Sequence, residues 1–343
     1  MSKIRLEWGI FLPILLLCLL GATLQFSVAY GTFFNYTIYV MLSLVLFIVV
    51  SNIDYRIPFA FYIPGYVFSM LLLITTLITG AISRGAMRWL DIGPFRFQPS
   101  ELSKPLLLIF FAVLGSINSK KRLGFLLLLG LFPLAIIFFQ PDLGTALIIG
   151  ASYVGILSRW VPVKYWFIGL LGAAVLIFPV YQFVLHDYQK NRLMTFINPY
   201  SDPLNSGYHV IQSTIAFGSG GVWGKGLGHG TQSQLRFLPE HHTDFIFATL
   251  GEELGVIGSV LVLALYSLLL LNVYSILSHC SDEASALFCL GVFVMLVFQI
   301  AVNIGMNLGI APVTGVTLPF LSYGGSSMLS ISVCLGLVAA MRK

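Results

Sequence analysis

An all-α integral membrane fold is the architecture this sequence predicts, with about ten transmembrane helices and one large extracytoplasmic loop between the seventh and eighth. Three observations predict it. Of the 343 residues, 58% are hydrophobic and only 9% are charged, where a soluble domain carries about 25% charged residues. The mean hydropathy is +0.94, and the apolar residues come in blocks close to the 17–25 residues that span a bilayer. The positive charges gather in alternate short loops, the pattern that marks the cytoplasmic side. Helices and short loops alternate throughout, so residues 1–343 read as one polytopic domain.

The first block, residues 9–29, follows Lys3 and Arg5. It is longer than the apolar core of a signal peptide and has no clear small-residue cleavage site, so it reads as the first span. Further apolar runs centre on 37–52, 59–80, 103–117, 123–139, 145–158, 167–187, 245–277, 285–308 and 326–341. The fourth is expected to be capped by Ser100 or Ser103, with Pro105 near its first turn. Between the fifth and sixth, Gln140-Pro141-Asp142-Leu143-Gly144 makes a short turn with Asp142 as the expected N-cap.

An even number of spans puts both termini on one side. With the N-terminus inside, the inner loops carry Lys3, Arg5, Arg56, Lys120, Lys121, Arg122, Arg159, Lys164, Arg342 and Lys343. The net charge of +5 is then largely topological and gives no reason to expect nucleic acid. The four cysteines (Cys18, Cys280, Cys289, Cys334) lie in or beside apolar runs without a C-x-x-C pattern, so they imply neither a disulfide framework nor a zinc ribbon.

The outer side holds segments 81–104, 186–244 and 309–325, the first two too long and patterned to be plain connectors. Their aromatics, among them Trp89, Phe95, Phe97, Tyr200, Tyr208, Phe217, Trp223 and Phe237, suit segments lying at the membrane interface. Most of the acids belong to this half: Asp91, Glu101, Asp142, Asp187, Asp202, Glu240, Asp244, Glu252 and Glu253. Any chemistry is therefore expected on the outer face.

In GAMRWLDIGPFRFQPSELSK, Arg88, Arg96 and Lys104 interleave with Asp91 and Glu101. Glu101 and Lys104, three apart, share a helical face. They are either an anchoring ion pair or a charged patch facing a substrate. GYHVIQSTIAFGSGGVWGKGLGHGTQ is glycine-rich, which lets backbone N–H groups turn toward an anion beside Lys225. It is not a phosphate-binding P-loop, because Gly226 follows Lys225. Composition alone favours a mobile re-entrant loop.

In FLPEHHTDFIFATLGEELG, His241 and His242 are adjacent and would point apart in regular structure, unlike the H-x3–5-H spacing of zinc pairs. Asp244 stands where the polar loop enters the apolar run. It is either the N-cap of the eighth span, a task Thr243 could also perform, or a carboxylate in a partly desolvated mouth that can act as a base. Glu252 would lie about 12 Å deeper along that helix, with Glu253 on the opposite side from Asp244. At such depth these acids need polar partners, from a water-filled cavity or a basic residue of another span. PVTGVTLPFLSYGGSS breaks the apolar pattern with Pro and Gly and is expected to line a cavity.

Six blocks in order, GAMRWLDIG, FQPSELSK, QPDLGTA, GYHVIQSTIAFGSGGVWGKG, FLPEHHTDFIFATLGEELG and LPFLSYGGSS, resemble the signature blocks of the SEDS proteins (shape, elongation, division, sporulation). The likeness covers almost the whole chain. NIGMNLGIAPVTG, the IDYR after the second span and the short N-terminus are more similar to the RodA branch than to the FtsW branch. The resemblance implies a peptidoglycan glycosyltransferase in the cytoplasmic membrane, serving elongation and shape. It would join lipid II to a nascent glycan strand on the outer face, with undecaprenyl pyrophosphate leaving.

The family's essential aspartate matches Asp244, which implies the base that takes the proton of the acceptor sugar 4-hydroxyl. An α-linked donor that becomes a β-linked glycan implies inversion. The departing pyrophosphate calls for cations, and the outer candidates are Arg88, Lys104, Lys225 and Arg236. Glu101 would orient Lys104, and Ser322 and Tyr323 would line the sugar path. A magnesium or manganese ion shared by Asp244 and the lipid pyrophosphate is a separate alternative. A class B penicillin-binding protein is the implied transpeptidase partner, beside other membrane proteins of the elongation complex. Two other classes stand against this reading. A lipid II flippase would spread polar residues through both membrane halves, and a non-catalytic scaffold would need no polar outer site.

Overall fold

The computed structural model describes residues 6–83, 86–92, 95–117, 119–183, 187–203 and 207–342. Lys3 and Arg5, on which the topology partly rests, lie outside them. So do residues 84–85, 93–94, 184–186 and 204–206 of the outer segments. The helices are α1 (Trp8–Val28), α2 (Tyr30–Ser51), α3 (Arg56–Ala60), α4 (Tyr62–Thr79), α5 (Pro99–Gly115), α6 (Lys120–Phe139) and α7 (Leu143–Leu157), followed by α8 (Val163–Phe183), α9 (Asp187–Ile197), α10 (Tyr208–Ser219), α11 (Thr231–Gln234), α12 (Ile246–His279), α13 (Glu283–Asn307) and α14 (Gly325–Ala340). Among the described residues, five of these are long and apolar enough to cross a membrane by length and composition: α1, α2, α4, α12 and α13. Shorter apolar helices cover Gly124–Phe139, Leu143–Leu157 and Gly325–Ala340. This is the multi-pass α-helical membrane protein that the hydropathy predicts.

The chain divides into two compact units. One comprises Met1–Ile156, Val262–Ile300 and Pro319–Lys343, and the other Leu157–Leu261 and Ala301–Leu318. In the first, α2 packs extensively against α14, and α4 against α5. Small residues permit the close approach, as at helix interfaces in lipid. A Cβ on Gly336 of α14 would lie 2.9 Å from Val50 Cβ and 3.1 Å from the Phe47 carbonyl oxygen of α2. Tyr66 of α4 stacks on Phe110 of α5, with ring centroids 4.1 Å apart. Buried polar groups find backbone partners: Gln140 Nε2 donates to the Leu73 carbonyl at 2.6 Å, and the Tyr66 hydroxyl to that of Leu129 at 3.0 Å.

Three details differ from the expectation. Residues 30–36, between the first two apolar runs, are helical, because a single non-helical residue, Ala29, separates α1 from α2. The hydroxyls that lower the hydropathy here return to their own chain: Thr32 Oγ1 bonds the Ala29 carbonyl, and Thr37 Oγ1 that of Phe33. Residues 81–97 form an antiparallel three-stranded sheet, β1 (Ala81–Ser83), β2 (Ala86–Ile92) and β3 (Phe95–Phe97), in the order β1-β2-β3. Leu90 pairs with Phe97 and Asp91 with Arg96. Neither Ser100 nor Ser103 caps α5. The helix starts at Pro99 after Gln98, Pro105 lies inside it, and Ser103 Oγ bonds back to the Pro99 carbonyl.

The second unit holds α8 to α11, a 3-10 turn at Pro199–Ser201, the first part of α12 and the end of α13. Ala216, Leu238, Phe245 and Ala248 form its buried cluster, with Val313 packed against it. His209 stacks on Phe245 and Phe217 on Phe247. The long outer segment is thus largely helical in its described parts.

Replacing Gly336 with alanine should destabilise the first unit by about 1–3 kcal/mol, the usual cost of overpacking. Thermal unfolding of the purified protein in detergent would read this as a lower midpoint. An unchanged midpoint would mean that α2 and α14 are not so tightly apposed.

Candidate active site

Asp244 sits in a tight turn just before α12. Glu240 adopts φ 52°, and its carbonyl accepts the N–H groups of Thr243 and Phe245, each at 3.1 Å. Thr243 Oγ1 turns back to Glu240 Oε2 at 2.9 Å, so it caps nothing. The cap comes instead from α13: Asn307 Oδ1 accepts the Ala248 N–H at 2.8 Å, in the first turn of α12. The Nδ2 groups of Asn303 and Asn307 both donate to the Asp244 carbonyl at 3.0 Å, and Asn303 Nδ2 also reaches the Val316 carbonyl at 2.6 Å. Both asparagines are fully buried. A Cβ on Gly315, where φ is +73°, would stand 3.5 Å from Asp244 Oδ2. The half-exposed carboxylate therefore lies beside the backbone of residue 315, and its main chain is clamped from α13. Asn307 thus satisfies one of the free N–H groups at the start of α12.

The glycine-rich segment turns its amides toward α12, to the backbone and the carboxylates of Glu252 and Glu253. It fills a break in α12. Gly255 has φ 65° and ψ −161°, far from helical, which frees donors after the break and acceptors before it. The freed N–H groups of Val256 and Ile257 donate to the Gly221 and Val222 carbonyls. The freed Glu252 and Glu253 carbonyls accept from Lys225 N–H at 2.9 Å and Gly226 N–H at 3.0 Å. A Cβ at Gly224 would overlap the Glu253 carbonyl, so this approach needs glycine.

Glu252 and Glu253 are both fully buried, as expected, but their partners come from this loop and not from another span. Glu252 accepts from Gln232 N–H at 2.8 Å, Ser233 N–H at 3.0 Å and Ser233 Oγ at 2.9 Å, and pairs with Lys225 Nζ at 3.0 Å. Glu253 accepts from Gly228 N–H at 3.1 Å. Lys225 is thus joined to Glu252. Arg236 is exposed, with φ 59°, on the turn after α11.

The other named residues belong to the first unit. Lys104 is fully buried, and its Nζ lies 2.7 Å from both Glu101 oxygens. Ser330 Oγ bonds the Glu101 carbonyl at 2.6 Å. Asp142 caps α7 through the Thr145 N–H at 3.3 Å, as its sequence context predicts. Its other oxygen gathers Gln98 Nε2 and Ser100 Oγ, and Arg88 stands 3.8 Å away. Arg88 Nε is buried without a hydrogen-bond partner among the described residues. Ser322 is buried and Tyr323 half-buried. They follow Phe320, whose φ is +62°, a backbone conformation that is an outlier for a bulky residue. The Tyr36 hydroxyl bonds the Phe320 carbonyl at 2.8 Å and the Tyr266 hydroxyl that of Pro319 at 2.6 Å, which holds this turn.

The structure therefore joins Glu101 to Lys104, Arg88 to Asp142 and Lys225 to Glu252. His241 Nδ1 contacts the Leu238 carbonyl. Among the described residues no three His, Cys, Asp or Glu side chains converge on one point. A divalent ion at Asp244 would thus have to take most of its ligands from substrate oxygens and water. The sequence reading passed over Asn303 and Asn307. Their signal was two amides four residues apart in an apolar helix, a spacing that puts both on one face.

The chain is similar to known proteins over nearly its full length. The FtsW/RodA/SpoVE family, described as cell cycle proteins, matches residues 8–343. The peptidoglycan glycosyltransferase MrdB of Escherichia coli is 41% identical over 316 residues, covering 88% of this chain and 83% of MrdB. Stage V sporulation protein E of Bacillus subtilis is 38% identical over 279 residues, covering 79% of this chain and 75% of that protein. Among solved structures, a chain from work on the structural coordination of polymerization and crosslinking by a peptidoglycan synthase complex superposes with a TM-score of 0.84. It is 35% identical, and 98% of this chain and 97% of that one are covered. The crystal structure of the rod shape determining protein RodA of Thermus thermophilus gives 0.75 at 29% identity, covering 100% and 98%.

Two substitutions test this geometry. Glu252→Gln removes the charge opposite Lys225 and should cost about 1.5–3 kcal/mol, read as faster hydrogen exchange of the amides at 232 and 233. Asn307→Ala removes the cap of α12 and should cost about 1 kcal/mol or more, read as faster exchange at Ala248. Unchanged protection in either variant would show that the bond in question carries no weight.

Proposed function

The chain belongs to the FtsW/RodA/SpoVE family of cell cycle proteins, and on that premise we propose how its residues divide the work of making glycan strands. It is a peptidoglycan glycosyltransferase, like the relatives it matches at 41% and 36% identity. The acceptor is the 4-hydroxyl of a lipid-linked sugar, and Asp244 takes its proton as the oxygen attacks the anomeric carbon of the donor. The bond from that carbon to the lipid pyrophosphate breaks, with inversion, and the pyrophosphate departs with the electron pair. A pyrophosphate needs no acid to leave, so one carboxylate base suffices.

The observation that carries the assignment is the pair of buried asparagines. Both donate to the Asp244 carbonyl, and Asn307 also accepts the Ala248 N–H, so the turn that presents the half-exposed carboxylate is held fixed from α13. Positive charge for the departing anion comes from Arg88 and Lys104. Glu101 orients Lys104, in keeping with their two contacts of 2.7 Å. Lys225, pinned to Glu252, acts through the glycine-rich segment rather than on the anion. Ser322 and Tyr323 line the sugar path. Lipid II is the substrate, and the work is done on the outer face of the cytoplasmic membrane with both termini inside. A class B penicillin-binding protein supplies the transpeptidase, a partner suggested by the likeness to a chain of a peptidoglycan synthase complex.

The test is polymerisation of purified lipid II by Asp244→Asn beside the unmodified protein, with the cognate transpeptidase present. The amide keeps size and hydrogen bonding but cannot accept the proton, so strand formation should fall by roughly 10²–10⁴-fold while lipid II binding persists. Near-normal polymerisation by the variant would remove Asp244 from the chemistry. A parent protein that makes no strands would return the flippase and scaffold alternatives.

A further inference from the structure

Three sulfur atoms lie in series at the end of the first unit that carries the C-terminal residues, and none of them belongs to a residue assigned a role above. Cys280 directly follows α12, Cys289 lies early in α13, and Met341 follows the last turn of α14. Cys280 Sγ and Cys289 Sγ are 3.8 Å apart, and Cys289 Sγ is 3.5 Å from Met341 Sδ. The short turn between α12 and α13 brings the two thiols together. Asp282 caps α13 there through Ser285 N–H at 2.9 Å, and the Tyr55 hydroxyl holds its carboxylate at 2.8 Å.

We propose that Cys280, Cys289 and Met341 form a binding site for one soft monovalent cation, copper(I) or silver(I). Thiolate and thioether ligands select such ions over zinc or magnesium. A metal–sulfur bond of about 2.3 Å in a trigonal plane separates the sulfurs by about 4.0 Å, close to the 3.8 Å and 3.5 Å from Cys289 to its two neighbours. Cys289 and Met341 are buried, and Cys280 is half-buried, so the set is shielded yet reachable. A small open cavity lined by Ser275, Ile276, His279, Met341 and Arg342 provides the access path. The Arg342 guanidinium, the nearest positive charge on that lining, is paired with Glu7. On binding, the two thiols release their protons to solvent and become thiolates, while the thioether donates a lone pair. The bound complex carries one net negative charge, and no electron is transferred.

The experiment is copper(I) titration of the full-length protein in detergent, under a reductant and against a chromophoric copper(I) chelator. The unmodified protein is expected to hold one equivalent. Cys280→Ser and Met341→Leu are small changes in side-chain size that remove a direct ligand, and should weaken retention by more than the roughly 10–100-fold typical of losing an outer-shell partner. Cys18→Ser and Cys334→Ser, at buried thiols elsewhere, should leave it unchanged. Two protons released per copper ion, measured in weak buffer, would support both thiols as ligands. The proposal fails if the unmodified protein yields all its copper to the chelator. It fails equally if Cys280→Ser and Met341→Leu retain copper as the parent does, or if zinc(II) competes on equal terms.

Discussion

The break in α12 at Gly255 is the constraint around which the second unit is arranged. A helix that stops and restarts inside apolar sequence exposes donors on one side of the break and acceptors on the other. In a low-dielectric setting each such group costs several kcal/mol if left alone. The chain meets this with residues 221–226, whose carbonyls and amides pair with Val256, Ile257, Glu252 and Glu253. The glycines of that segment are there because two backbones must touch, and a Cβ at Gly224 would prevent it. The two buried carboxylates then secure the rest of the segment by accepting from the amides at 228, 232 and 233. A charge that would be a burden in the membrane becomes the fastening of a loop.

The same economy holds at the start of α12. Buried amides on α13 do at Asp244 what a Ser or Thr side chain ordinarily does at a helix N-terminus. In the first unit the cap is local, since Asp142 caps its own helix and also gathers Gln98, Ser100 and Arg88. At two similar turn-to-helix junctions, one helix start is thus tied to a side chain of its own turn and the other to a side chain of a later helix.

Much of this was legible in the sequence. Apolar block length gave the helical membrane class, and the i,i+3 spacing of Glu101 and Lys104 gave their pairing. Asp142 was read as a cap because its partner amide is local. The errors arose where long-range partners decide. Glu252 was expected to need a water-filled cavity or a base from another span, because no local pattern reveals that a loop twenty residues earlier will fold onto it. The glycine-rich run looked mobile because composition records backbone freedom and not the backbone that restrains it. The segment from residue 81 was weighed for its charges, and its aromatics Trp89, Phe95 and Phe97 were read as interface residues, so the β-propensity of those aromatics, which suits strands β2 and β3, went unused. Asn303 and Asn307 were passed over because an amide in an apolar helix acquires meaning only through what it faces.

The distances along the chain between these partners set an order of events during synthesis. Glu252 meets the amides of Gln232 and Ser233 across only twenty and nineteen residues, a short closure with a small entropic cost. The mended break can therefore form soon after α12 emerges. The contacts from Asn303 and Asn307 to residues 244 and 248 span 59 to 63 residues and need α13 in place. Until then α12 lacks its cap and the turn at Asp244 its clamp. The nascent protein thus acquires a settled loop first and a settled Asp244 turn later, so a chain interrupted before residue 303 would hold the loop without the clamp on that turn.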